Sequence, residues 1–352
     1  MKTPLIPDTQ DVKWLLLDLI LGLLRSRRSQ QIIAKHGISP AKKAYQNLAI
    51  LILSFFFCNE ISYTVLEISK RRELQEFLKI TTVPQASDVY RFMSSCSPES
   101  ITSMTFDLLN LACSHKNRSR RKTIIIDSTA ISVDLNWFRK KYTKKELENL
   151  PYRWSYSRSK KFYIGMKLTF AIDKKTLRPL AFIVHPGCPS DSVIFSEIMA
   201  ELKRRRILRK MDEVLLDRGY YSYANYAEAI QKYHVIPLII PKKGFSIAKL
   251  EKKVHFSLFW FGTKKGKEKI KELATIMDKF KRKIKDTENL IKERGIIETV
   301  FKCAKDILPF DDLHKYTAKS LEKAVAFNVL LLGLIITWKV RDKEDLQRIM
   351  RN

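Results

Sequence analysis

"TIIIDSTA" (123–130) and "VLLDRGYYS" (214–222) share one pattern. In the first, Ile124, Ile125 and Ile126 run into Asp127; in the second, Val214, Leu215 and Leu216 run into Asp217. A short apolar run bounded by polar residues reads as a buried strand. A carboxylate at the end of such a strand sits at the rim of an apolar layer and needs a partner. Either aspartate taken alone also fits a turn cap after its strand. Two of them, each followed by small or polar residues, point to a shared task.

The flanking sequence supplies the rest of a sheet. "FYIGMKLTFAID" (162–173) and "RPLAFIVHP" (178–186), joined by "KKTL", read as an antiparallel hairpin. "SDSVIFSEIMAELKRRR" (190–206) is an amphipathic helix with Ile194, Ile198 and Leu202 at helical spacing. "DEVLLD" (212–217) is a fourth strand, "YANYAEAIQKY" (223–233) a helix and "VIPLIIP" (235–241) a fifth strand. A basic helical region covers about 264–306 and an apolar helix about 320–340. Three strands, then helix, strand, helix, strand and helix is the order of the ribonuclease H-like fold. The expected catalytic domain is α/β, a mixed five-stranded sheet flanked by helices. Its first and fourth strands are parallel neighbours, which brings Asp127 and Asp217 together.

Ahead of this block, residues 1–113 read as a mainly helical N-terminal domain. Ser87 and Ser97 are expected N-caps, the second followed by Pro98 at the first helical position. "ASDVYRFMSSCSPES" (86–100) fits a helix-turn-helix and a small helical bundle equally well. "SHKNRSRRK" (114–122) is a basic linker. The catalytic domain is expected over 123–340, with an insert at about 244–275 and a tail over 341–352.

The chain has 352 residues, 45% hydrophobic, with 66 Lys and Arg against 37 Asp and Glu, a net charge of +29. That hydrophobic content supports a packed core. A charge so far from zero repels itself unless a polyanion neutralises it, and nucleic acid is the polyanion of choice. The five cysteines are scattered, with no CxxC pair, which fits a reducing cytoplasm. Six dispersed histidines offer no zinc spacing. The N-terminus "MKTPLIPDTQ" lacks the apolar core of a secretory signal. "WLLLDLILGLL" (14–24), "AILILSFFF" (49–57) and "AVAFNVLLLGLIITW" (324–338) are too short to span a bilayer and read as buried helices. No membrane partner is expected.

Two adjacent carboxylates repel unless a cation sits between them. Hard oxygen ligands suit Mg²⁺ or Mn²⁺. Two such ions ~3.5–4 Å apart stabilise the attacking and leaving oxygens of a phosphoryl displacement. A third acid lies in "IKERGIIETVFKCAKD" (291–306). At ~100° per residue, Arg294, Glu298 and Lys305 fall on one helix stripe, with position 291 on the same face. Ile296, Ile297 and Val300 lie beside them to pack on the sheet. The same spacing also fits a solvated face with Arg294–Glu298 as an ordinary ion pair.

The stripe resembles the pattern Tyr-x2-Arg-x3-Glu-x6-Lys of DDE transposases from prokaryotic insertion sequences. Arg294, Glu298 and Lys305 match, and Ile291 replaces the tyrosine. "IDSTAI" resembles the family's first acid block and "LDRGYYS" its second, so the likeness covers about 120–340. It implies a metal-dependent endonuclease and strand transferase in which Asp127, Asp217 and Glu298 hold two Mg²⁺ (or Mn²⁺) ions. The implied partner is double-stranded DNA, both element ends and target, bound by a homodimer at the prokaryotic nucleoid in the cytoplasm. DNA contacts fall to Arg294, Lys305 and Arg218, and to Arg158, Lys160 and Lys161 in the aromatic, basic stretch 137–163. Trp260, in "HFSLFWFGTKKGKEK" (255–269), is either a stacking partner for an unpaired base or part of a small packed hairpin. Asp191 is either an accessory acid or, with Ser190, a helix cap. A nuclease of the same fold that cuts without transposing, and an inactive DNA-binding derivative, are the rival functions.

Overall fold

The computed structural model describes residues 12–38, 41–113, 122–133, 142–150, 152–157, 161–255, 264–308 and 318–338, with a few isolated positions besides. The chain divides into two compact units. One comprises 1–116, 132–150 and 302–352, and the other 117–131 and 151–301.

The second unit is the sheet. Its strands are β1 (Thr123–Ser132), β2 (Arg153–Ser157), β3 (Lys161–Asp173), β4 (Pro179–Pro186), β5 (Glu213–Leu216) and β6 (Ile236–Ile239). They follow the order β2-β3-β1-β5-β6, with β4 also paired to β3. β1 and β5 run parallel, Ile126 opposite Leu216, and β5 and β6 run parallel, Leu216 opposite Ile239. Ile124, Ile125, Ile126, Val214, Leu215 and Leu216 are all fully buried, as strands covered on both faces require. β3 pairs antiparallel with β4 through Met166–Ile172 and with β2 through Lys161–Gly165. The fold is ribonuclease H-like, as the strand order predicts.

The sheet has six strands, one more than expected. β2 was hidden because its pattern is inverted. Trp154 and Tyr156 face solvent while Ser155 faces in, so apolar alternation does not mark a buried face. Gly187, just past β4, adopts φ +68°, and a Cβ there would fall 2.7 Å from the Arg153 Cβ. Only glycine lets β4 end where β2 begins.

The first unit holds α1 (Val12–Arg25), α2 (Arg27–Lys35), α3 (Ala41–Phe56), α4 (Ile61–Lys70), α5 (Arg72–Leu78), α6 (Ala86–Ser95), α7 (Pro98–Ala112) and α8 (Lys144–Asn149). The sheet unit holds α9 (Asp191–Arg204), α10 (Tyr223–Gln231), α11 (Ile247–His255), α12 (Lys264–Ile284) and α13 (Thr287–Arg294). α14 (Ile296–Ile307) runs through the boundary at residue 301, and α15 (Ala318–Trp338) returns to the first unit.

Ser97 caps α7 by accepting from the Ser100 amide, with Pro98 at the first position as expected. Ser87 does not cap α6; Gln85 does, paired reciprocally with Asp88. α15 packs along α7. Thr105 donates to the Ala326 carbonyl at 3.2 Å, and a Cβ on Gly333 would fall 2.5 Å from Leu109. Over Lys319–Trp338, α15 is longer than the apolar stretch in the sequence implies and apolar enough to span a bilayer, yet 83% of its apolar window is buried inside the protein. The basic region over 264–306 is three helices, not one. α13 stops at Arg294, and Gly295 separates it from α14.

Candidate active site

Asp127 and Asp217 follow paired residues, Ile126 and Leu216, on adjacent parallel strands. The sheet therefore delivers both carboxylates to one rim. β5 ends at Leu216, and the chain turns immediately through a 3-10 turn (Arg218–Tyr220) capped at Asp217. Asp191, first residue of α9, faces the same turn. A Cβ on Gly219 would lie 2.6 Å from its Oδ2. The glycine in "LDRGYYS" is therefore there to let the turn approach Asp191. Asp191 is not a cap. Ser190 holds the N-cap position without a side-chain hydrogen bond, and the Asp191 carboxylate meets Lys167 Nζ at 2.7 Å. Lys167 also donates to the Pro189 carbonyl, at 2.9 Å.

Glu298 reaches this rim through Arg294. Arg294 Nη2 sits 2.6 Å from Asp127 Oδ2, and its Nη1 pairs with Glu298 Oε1. Gly295 keeps helical backbone angles, so the four-residue spacing survives the break between α13 and α14. Ile297 and Val300 are fully buried, and the Phe301 ring lies 5.9 Å from Phe170 on β3. These contacts hold the start of α14 on the sheet and leave Glu298 exposed.

The electrostatics are those of crowded acids. Burial pushes the Asp127 carboxyl up to about 7, against the pull of Arg294 and of the Ser128 amide, with Asp217 and Asp191 adding to the rise. Burial also works against the charge of Arg294, but Asp127, Asp217 and Glu298 hold it above the ordinary guanidinium value. Positive charge is what this rim lacks, and the guanidinium supplies it. Among the described residues, no three side chains of the His, Cys, Asp or Glu type are gathered around one point as metal ligands require. The donor chemistry still fits a hard divalent cation. Asp127 and Asp217 offer carboxylate oxygens directly after the paired residues Ile126 and Leu216, and Glu298 is joined to Asp127 through the Arg294 guanidinium.

Of the residues expected to touch DNA, Arg218 and Lys161 are exposed in the sheet unit. Arg294 is committed to Asp127 and Glu298. Lys305 lies in the later part of α14, beyond the unit boundary. Arg158, Lys160 and Trp260 lie outside the described residues. Two participants escaped the sequence reading. Ser128 and Tyr220 share a 2.7 Å hydrogen bond that ties β1, one residue past Asp127, to the turn after β5. Tyr220 sits inside a quoted motif, but nothing in its spacing marked a partner 92 residues away.

A family model for the transposase DDE domain matches residues 118–334. No curated protein matches the chain.

Proposed function

The chain belongs to the DDE transposase family, and from that premise we propose that it cuts DNA at the ends of an insertion sequence and joins the freed ends to target DNA. The observation that supports this reading is the register of β1 and β5, which pairs Ile126 with Leu216 directly before Asp127 and Asp217, together with Arg294 bridging Asp127 to Glu298. Divalent metal ions serve this family. Asp127, Asp217 and Glu298 are the residues to hold two Mg²⁺ or Mn²⁺ ions, which when bound would stabilise the attacking and leaving oxygens of an in-line phosphoryl displacement.

The residues around the acids have their own tasks. Arg294 would bind a phosphate beside the scissile bond, where a planar guanidinium holds two oxygens at once. Lys305, Arg218 and Lys161 neutralise backbone phosphates, with Arg158 and Lys160, and Trp260 stacks on an end base. Asp191 holds Lys167 and keeps the turn after Asp217 in place. The net charge of +29 supports a DNA partner whose binding is dominated by phosphates. The protein works as a homodimer, with the helical unit binding DNA ends or the second copy.

The test uses a labelled duplex carrying the terminal repeats that flank the reading frame. Nicking that needs Mg²⁺ or Mn²⁺, followed by strand-transfer products, is the expected outcome. Nicking without transfer would select the nuclease that only cuts. DNA binding without nicking in either metal would select the inactive derivative.

A further inference from the structure

We infer that Ser128, clamped by Tyr220 and Thr169, is a positioning residue that sets how Asp127 and Asp217 face each other; this rests on the proposed metal-dependent reaction. Ser128 Oγ lies 2.7 Å from Tyr220 Oη and 3.0 Å from Thr169 Oγ1. Thr169 Oγ1 lies 3.0 Å from His185 Nε2, and His185 Nδ1 lies 3.2 Å from Glu197 Oε2. Tyr220 and Thr169 are fully buried, and His185 nearly so.

The chain of bonds has one direction. A carboxylate only accepts, so Glu197 fixes the proton of His185 on Nδ1. Nε2 is then an acceptor, and Thr169 must donate to it. The Thr169 oxygen accepts from Ser128, whose oxygen accepts from Tyr220. Each hydroxyl proton is thereby assigned, from a surface glutamate on α9 through β4 and β3 to Ser128 on β1.

Both ends of this clamp reach an acid. Ser128 follows Asp127 directly in β1, so holding its side chain holds the backbone that carries this acid. The amide of Tyr220 donates to the Asp217 carbonyl at 3.1 Å, closing the 3-10 turn. The Asn225 amide group fixes the Tyr220 carbonyl at 2.9 Å. The Tyr220–Ser128 bond is thus a strut between the acid-bearing part of β1 and the turn that follows Asp217. The parallel pairing of β1 and β5 ends at Ile126 and Leu216, just short of the acids, so something beyond the ladder must hold them in register. Partners of this kind, one bond behind the ligands, typically change metal affinity or activity ~10–100-fold.

The variants are Tyr220→Phe, which removes one oxygen and keeps the ring, and Thr169→Val, which breaks the chain in its middle. Thr169→Ser restores the hydroxyl. Tyr226→Phe is the control, because its hydroxyl is also buried in the sheet unit but donates to the Ile239 carbonyl, at 2.6 Å, away from the acids. Mn²⁺ binding to the DNA-free protein is titrated, beside single-turnover nicking in Mg²⁺ and DNA affinity in Ca²⁺. We expect Tyr220→Phe and Thr169→Val to weaken Mn²⁺ binding and slow nicking by about 10-fold or more with DNA affinity unchanged, and Thr169→Ser and Tyr226→Phe to bind Mn²⁺ as the wild type does. If Tyr220→Phe binds Mn²⁺ like Tyr226→Phe, the clamp is merely structural and the inference is overturned, even should Thr169→Val fail to fold. A wild-type protein that neither binds Mn²⁺ nor nicks overturns the proposed function instead, and the positioning role falls with it.

Discussion

Arg294 and Asp127, 167 residues apart in sequence, form a mostly buried ion pair at 2.6 Å. The same guanidinium pairs with Glu298, so one positive charge serves two acids. Arg294→Ala removes it and leaves Asp127 facing Asp217 and Asp191 without compensation. Breaking a buried pair costs about 3–5 kcal/mol, and less where the stranded acid can take up a proton, so a loss of about 1–3 kcal/mol is expected in metal-free buffer. Mg²⁺ should return more stability to this variant than to the wild type, since ligand binding to the native state adds to it. Thermal unfolding with and without Mg²⁺ measures both. Equal Mg²⁺ responses in the two proteins would separate Arg294 from the metal site.

Glu298 behaves differently because it is exposed, its side chain 60% accessible. Its pairing with Arg294 is worth only ~0.3–0.5 kcal/mol as an i,i+4 contact, so Glu298→Gln should leave stability almost unchanged. DNA affinity should hold or rise slightly, since a negative charge near phosphate is gone. Mg²⁺-dependent nicking of a labelled element end should collapse, because the amide is a poor ligand. Nicking at the wild-type rate would remove Glu298 from the reaction, and with it most of the support for a transposase.

Gly219 tests the approach of α9 to the turn after Asp217. In Gly219→Ala the new methyl meets Asp191 Oδ2 at 2.6 Å and Cγ at 3.2 Å, so the turn or the carboxylate must move. Overpacking of this kind costs about 1–3 kcal/mol. Asp191→Ala should relieve it, so that the double variant loses less than the two single losses added. Urea unfolding of all four proteins completes the cycle. Additive losses would show that the close approach is not what selects glycine.

Much of this site is visible in sequence because it is built on strands. Ile124–Ile126 and Val214–Leu216 are buried on both faces, and such runs announce themselves by composition alone. The acids at their ends follow from where each run stops. The link from Arg294 to Glu298 was legible for the same reason, a local spacing of four. What was hidden is non-local or inverted. No local rule pairs Ser128 with Tyr220 or Thr169. β2 turns its aromatic residues outward and its serine inward, the reverse of the pattern that marks a strand. α15 lies next in sequence to the sheet elements, but its apolar surface packs on α7 through Gly333 and Leu109, a fit that depends on shape rather than periodicity.

His185 gives the fold a pH dependence whose sign can be worked out. The ring is buried, which lowers its pKa below the ordinary value, with Glu197 pulling the other way and Lys167 adding to the fall. The native state therefore binds this proton less readily than the unfolded chain, whose histidines titrate near ~6.5. The contribution to stability is fully present above that value and is lost as pH falls through the lowered native value. The neutral ring is also the form that accepts from Thr169. His185→Gln keeps a donor for Glu197 and an acceptor for Thr169 but cannot take up a proton. Between about pH 7.5 and about pH 5.5 the wild type should lose more stability than His185→Gln, although the variant starts lower. Denaturant midpoints across that range decide the matter. Parallel curves would mean that His185 does not change its protonation on unfolding.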